Sequence, residues 1–460
     1  MAKTEIKSDP LTPTASAAVP APLDAIHDAA QQARNLRQVL QDDKVRIGCF
    51  LGAGCPLGIF DAAESKSMVL IPAVIELTKR VAKGLAEKDA APADKGAAST
   101  PASEFKKHWD ALCNECKPPD GNDPTVEDVL TELRTFVHRR GISGGLGMSK
   151  KQLVDLDVEI CRLIVAEMTK KLPSHRCSYN RFASWIGGVH RLFPVEVFTP
   201  NYDLLFEQAF EAHPHPHFDG FVGSREPWFD LSSIEHDAIP ARWTRLWKLH
   251  GSINWEKLEE KVDGTSRVQV VRVSREAGAG KVMIYPCHLK YDQSRRMPYL
   301  AMLDRLRAFF HGDATSRRVF PDTQDEDAPR LVICGYSFLD DHLNEVLLDG
   351  LRGNRKAHCF ALMYSNLSDH PRAVEYARKQ ANLTVLAKDG AVIGLRQGRY
   401  RPGIAGGDEH KPWLYEEAVA TMDPANPEQQ PRSRLGDFHY FALFLEQLSE
   451  GRGDHEHKPA

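Results

Sequence analysis

The sequence predicts an α/β fold built on a mainly parallel sheet, with helices covering both faces. Two observations predict it. Short, mainly apolar runs recur along the chain, among them RIGCFL, VEVF, RLW, LVIC and HCFAL. Several of these end in a turn of glycine or polar residues and lead into a stretch with helical spacing. A strand buried on both faces reads as an unbroken apolar run, and parallel strands need crossover connections that helices commonly supply. The 460 residues suffice for a large core.

Residues 1–22, rich in Pro, Ala, Ser and Thr, read as a flexible leader. LDAIHDAAQQARNLRQVLQD has the apolar recurrence of a helix. VRIGCFLGAG then gives a buried strand, Val45 to Leu51, with Gly52 and Gly54 permitting a tight exit. IPAVIELTKRVAKGLAEK is a second helix. The Ala- and Pro-rich stretch 89–102 marks a surface insertion boundary, and a helical insertion follows at about 103–180, with VEDVLTELRTFVHRR and LVDLDVEICRLIVAEMTKKL as its clearest segments. VEVFTPNYDLLFEQAFEAH is a strand, a polar turn and a helix. RLWKLHG is the next strand, and SRVQVVRVS belongs to a hairpin or small sheet. YLAMLDRLRAFF is a helix, PRLVICGYSFLDDHLNEVLLDGL repeats strand, loop and helix, and HCFALMYS and LTVLAKDG supply two more strands. The main domain is expected over 23–395. Residues 396–460 form a C-terminal extension whose apolar FHYFALFLEQL packs back or serves assembly.

Composition narrows the function classes. A net charge of -4 gives no global attraction to nucleic acid, and direct nucleic-acid binding is not expected. No apolar stretch is long enough to cross a bilayer, and the N-terminus lacks a secretory pattern, so a cytoplasmic protein is expected. Nine cysteines, an odd number scattered through apolar runs, read as reduced thiols. Cys113 and Cys116 form a single CNEC pair without the second pair a four-cysteine zinc module needs.

Four loops carry polar groups suited to chemistry. Gly52-Ala53-Gly54 follows a strand and would let backbone approach a pyrophosphate, or simply turn the chain. In Thr199-Pro200-Asn201-Tyr202-Asp203, Asn201 both donates and accepts, and Asp203 accepts; either side chain could equally cap the next helix. His250, before Gly251, is a general-base candidate near neutral pH or a hydrogen-bonded structural histidine. In Gly335-Tyr336-Ser337-Phe338-Leu339-Asp340, Gly335 and Ser337 are placed to contact a phosphate or ribose, while Asp340 and Asp341 suit a helix cap or a ligand contact. Cys55 as a reactive thiol lacks a nearby activating group in sequence. Trp247 and Trp255 read as packing.

In order, GAG, TPNYD, KLHG and GYSFLDDHL resemble the Sir2-like NAD-binding family, and most closely its bacterial anti-phage branch, whose members pair with a HerA-like ATPase or an Argonaute-like protein. The resemblance implies a Rossmann-like sheet of the Sir2 type and NAD as substrate with no metal required. It also implies catalytic Asn201, His250 and Asp203, and substrate-binding Gly52, Ala53, Gly54, Gly335 and Ser337. Two departures weigh against a protein deacylase: the four-cysteine module is absent, and the segment after GAG reads CPLGIFDAAE. The expected activity is NAD hydrolysis to nicotinamide and ADP-ribose by an oligomeric, partner-activated immune effector. An NAD-dependent deacylase and a non-catalytic nucleotide-binding subunit are the alternatives. HPHPHF (His213, His215, His217) reads as a surface loop. YPCHLKYDQSRRMPY, with Lys290, Tyr291, Arg295, Arg296 and Tyr299, resembles a segment of the immune proteins and suggests a pocket or structural role.

Overall fold

A computed structural model describes residues 25–57, 59–61, 66–90, 104–117, 123–138, 146–173, 176–236, 239–262, 265–273, 282–284, 298–311, 328–401, 413–414 and 432–450. The expected leader, Lys290, Tyr291, Arg295, Arg296 and most of the 89–102 stretch lie outside the described residues.

The central sheet has ten strands. In chain order they are β1 (Ala25–His27), β2 (Ile47–Leu51), β3 (Glu196–Thr199), β4 (His217–Phe218), β5 (Thr244–Lys248), β6 (Arg330–Cys334), β7 (His358–Leu362), β8 (Leu383–Leu386), β9 (Gly390–Ile393) and β10 (Arg396–Tyr400). Across the sheet they run β1-β10-β9-β8-β7-β6-β2-β3-β5-β4. From β8 to β4 every pairing is parallel, and β9 runs against both of its neighbours. The architecture is therefore the largely parallel α/β sheet expected from the apolar runs. The sheet continues past the expected boundary at 395, because β10 pairs with β9 on one side and β1 on the other.

The helices are α1 (Ala29–Gln41), α2 (Val74–Ala90), α3 (Phe105–Glu115), α4 (Val126–His138), α5 (Lys150–Met168), α6 (Ser178–Gly187), α7 (Leu205–Ala212), α8 (Leu231–His236), α9 (Pro298–His311), α10 (Asp341–Gly353), α11 (Pro371–Lys379) and α12 (Phe438–Glu450). Alternating strand residues divide the core into two layers. Cys49, Leu51, Val197, Leu246 and Val332 face a layer closed by residues of α1–α7 and α12. Phe50, Phe198, Trp247, Leu331 and Ile333 face residues of α8–α11. The two-residue repeat of a strand sends successive side chains to opposite faces, so both layers need apolar partners.

Local chemistry sets several boundaries. The first expected helix starts late because Asp28 caps it, accepting from Gln31 N at 2.9 Å, and Ala25–His27 before it pairs as β1. Asp89, at the end of α2, accepts from Phe105 N (3.0 Å) and Lys106 N (2.8 Å) and so caps α3 from outside. Ser149 and Gln152 form a capping box on α5. Gly251–Val262 pairs antiparallel with Thr265–Arg272 in a second, five-stranded sheet, the hairpin expected from SRVQVVRVS. The apolar C-terminal segment packs back as α12 along α6. Phe441, Phe444, Leu445 and Leu448 are buried there, and Glu446 pairs with Arg176 and Arg181 of the α6 side.

Candidate functional site

From β2 the chain builds outward through β3 and β5 on one side, then returns to lay β6, β7 and β8 on the other. The order of construction thus reverses at the β6/β2 boundary. In open α/β sheets the carboxyl ends beside such a reversal leave a crevice where ligands bind. The four loops singled out in the sequence follow β6, β2, β3 and β5, four adjacent parallel strands. Their ends are in register: Cys334 lies beside Leu51, Phe50 beside Phe198, and Thr199 beside Lys248.

Those loops line a cleft of about 370 Å³, within the range of small-molecule pockets. Ala53, Asn201, Asp203, His250, Gly335 and Ser337 all border it. Gly52 and Gly54 are not among its lining residues. Their role is visible in the contact between loops. Gly52 N donates to Cys334 O (2.9 Å), Gly54 N to Gly335 O (2.8 Å) and Cys55 N to Gly52 O (3.0 Å). A Cβ on Gly54 would lie 2.7 Å from Gly335 Cα. These bonds engage the amides of Gly52 and Gly54 and hold the two loops together. Ala53, exposed at the rim, carries the amide that none of these bonds uses.

Asn201 is buried, and its side-chain Nδ2 donates to Gly52 O at 3.1 Å. A carbonyl only accepts, so this contact fixes the amide's orientation and turns Oδ1 away as the acceptor. Thr199 Oγ1 donates to Leu51 O (2.7 Å) and accepts from Asn201 N (3.1 Å), stitching the β3 loop to β2. Asp203 Oδ1 accepts from the N–H of Leu205, the first residue of α7, at 3.0 Å. Burial pushes its carboxyl above the ordinary range, against the pull of the Lys248 ammonium. Lys248 is itself buried and reaches Asp203 O and Glu207 Oε1, the latter at 3.1 Å.

His250 is 4% exposed, with Nε2 3.0 Å from Asp340 Oδ2. Gly251 follows at φ +93°, a turn that a side chain would disfavour. Trp247 and Trp255 are buried packing residues; Trp247 Nε1 donates to Glu196 Oε2 at 2.8 Å. Cys55 is buried against Cys334, and burial raises its thiol well above the usual value, which opposes a nucleophilic role.

Sequence reasoning missed three features of the cleft. Asp340, expected as a helix cap or a ligand contact, caps α10 and also pairs with His250. Tyr202 lines the cleft and its hydroxyl donates to Glu127 Oε1 at 3.0 Å. Leu77 of α2 and the inserted helices form a wall, with Thr125, Glu127 and Asp128 at the start of α4 and Met168 of α5. No local pattern announces such long-range placements. Cys113 and Cys116 lie on and just after α3, and no group of three or more metal-ligating side chains occurs among the described residues. His215 bonds Thr244 Oγ1 at 2.8 Å, and Tyr299 is buried in α9.

Residues 195–386 match the family model of the SIR2-like domain. This SIR2-like stretch runs from β3 to β8 and includes three of the four loops; the Gly52–Gly54 loop lies before it. The chain also aligns with a solved structure described as "Structural Basis for the Mechanism and Regulation of Sir2 Enzymes". That alignment covers 74% of this chain and 88% of the other, at 13% identity and a TM-score of 0.29. No curated protein matches the chain. Among the described residues, no helix is long and apolar enough to cross a membrane.

Proposed function

We propose that this protein hydrolyses the N-glycosidic bond of NAD, releasing nicotinamide and ADP-ribose. The observation that carries the reading is the convergence of Asn201 and His250 on one cleft at the carboxyl ends of β3 and β5, within the SIR2-like stretch.

The cleft's charge supports it. Glu127, Asp128, Asp203, Asp340 and Asp341 border the space, with no lysine or arginine among the lining residues. Such a wall favours the cationic nicotinamide end of NAD over its diphosphate. It also favours the positive charge that grows on the ribose as the bond to nicotinamide breaks. Asn201 Oδ1, oriented by the Nδ2–Gly52 contact, accepts from the attacking water or a ribose hydroxyl. His250 takes the proton. Ala53 and Ser337, exposed at the cleft, would offer a backbone amide and a hydroxyl to the phosphates or the second ribose. In the same reading the enzyme is an anti-phage effector. It is held in check until assembly or a partner, a HerA-like ATPase or an Argonaute-like protein, activates it.

The test incubates the purified full-length chain with NAD, alone and with proteins encoded beside its gene, and separates the products. Nicotinamide with ADP-ribose is expected; a parallel sample with an acylated peptide should yield no O-acyl-ADP-ribose. NAD that binds yet persists under every condition overturns the proposal.

A further inference from the structure

Asp340 uses its two carboxylate oxygens in different directions. Oδ1 accepts from His342 N at 3.0 Å and Leu343 N at 3.3 Å, capping α10. Oδ2 lies 3.0 Å from His250 Nε2, with side-chain exposures of 5% for the histidine and 11% for the aspartate. We propose that Asp340 is the positioning residue of this site, selecting the tautomer of His250 so that Nδ1 is the basic nitrogen. The proposal deepens the NAD-hydrolase reading and rests on it for its catalytic consequence.

The chemistry of the pair gives the direction. An ionised carboxylate only accepts, so the hydrogen must sit on Nε2; a neutral imidazole then carries its lone pair on Nδ1. The carboxylate cannot swing away without releasing two amides of α10. Its loop is also fixed. The Tyr336 hydroxyl lies 3.1 Å from Asp340 O and 2.8 Å from Asn344 Oδ1, and Asn344 Nδ2 donates to Phe338 O at 2.8 Å. Phe338 sits at φ +58°, a left-handed conformation that a residue with a side chain keeps only where its surroundings impose it. This turn feeds Asp340 into both contacts.

The proton balance is simple. As His250 acts, an O–H bond of water or a ribose hydroxyl breaks and an N–H bond forms at Nδ1. The Nε2 hydrogen stays in place, and the imidazolium charge faces the Asp340 carboxylate, which gains no proton. Nδ1 later returns its proton to solvent.

Asp340→Asn separates this role from capping. The asparagine oxygen caps a helix about as well as the carboxylate, but the amide nitrogen then faces His250 Nε2. A donor there requires the ring to accept at Nε2 and to carry its hydrogen on Nδ1. The experiment records ¹⁵N ring signals of histidine-labelled full-length protein at about pH 8, where an ordinary histidine is neutral, with His250 assigned by its loss in His250→Gln. The expected result is Nε2–H in the wild type and Nδ1–H in Asp340→Asn. With NAD as substrate, kcat should fall on the order of 100-fold or more while KM changes by less than about threefold. A wild-type ring protonated on Nδ1 overturns the proposal, as does an Asp340→Asn variant that keeps the wild-type tautomer. The ring reading needs no turnover, so an inactive wild type would count against the hydrolase alone.

Discussion

Gly52 and Gly335 meet backbone to backbone: a Cβ placed on Gly52 would lie 2.4 Å from the Gly335 carbonyl oxygen. Neither partner is a flexible side-chain end that could move aside. The contact joins the loops after β2 and β6 across the point where the sheet's construction reverses. Gly52→Ala is therefore expected to cost about 1–3 kcal/mol of stability, the usual range for forced overpacking. Urea unfolding of the variant against the wild type measures it. An unchanged midpoint would mean that the loops do not close as described.

Asn201 and His250 should fail together. Asn201→Ala removes the group that orients water or ribose, and His250→Ala removes the base. Each is expected to lower NAD turnover by about 10²–10⁴-fold while leaving NAD binding intact. Nicotinamide release measured beside equilibrium binding separates the two effects. Normal turnover in either variant would remove that residue from the mechanism.

Asp203 sits on the other side of the balance between stability and function. Burial raises its carboxyl's proton affinity in the folded state above that in the unfolded chain. A raised acid favours folding below its unfolded value and loses that contribution as pH climbs through its folded value. Asp203→Asn keeps an acceptor for Leu205 N and removes the buried charge. It should stabilise the fold near neutral pH by about 0.5–2 kcal/mol, with the gain shrinking as the medium is acidified, while NAD turnover falls. Thermal unfolding across a pH series checks the sign.

Lys248 presents the opposite case. Its buried ammonium serves Asp203 O and Glu207. Lys248→Met leaves those acceptors in the interior without their cation, and a loss of about 3–5 kcal/mol is expected. Lys248→Arg should not restore it fully, since a planar guanidinium does not fit a point-charge site. Chemical denaturation of both variants is the measurement.

The C-terminal helix should be indispensable to the core. Phe441 is fully buried in the layer shared with α6 and α7. Phe441→Ala is expected to cost about 3–5 kcal/mol, read as a lowered unfolding midpoint. A neutral result would place α12 outside the core.

Much of the fold was legible because its signals are local. The runs IGCFL, EVFT and RLVIC are buried strands by their composition, and the turns after them are polar or glycine-rich. The chemistry-bearing residues Asn201, Asp203, His250 and Ser337 stand at strand ends for the same reason. The hidden features join distant segments. Tyr202 meets Glu127 from an inserted helix, β1 pairs with β10, and Asp89 caps α3. A hydrogen bond between distant positions leaves no periodicity in either partner, so no window of sequence contains it.

The sequence by itself determined which segments become strands and helices, and which loops carry polar groups suited to nucleotide chemistry. Each of those outcomes depends on neighbours a few residues away. Tertiary structure decided what the loops do. The strand order placed four of them side by side and engaged the amides of Gly52 and Gly54 in loop contacts. It also turned Asp340, legible as a cap or a ligand contact, toward His250. A carboxylate has two oxygens, and only the folded chain decides what the second one faces.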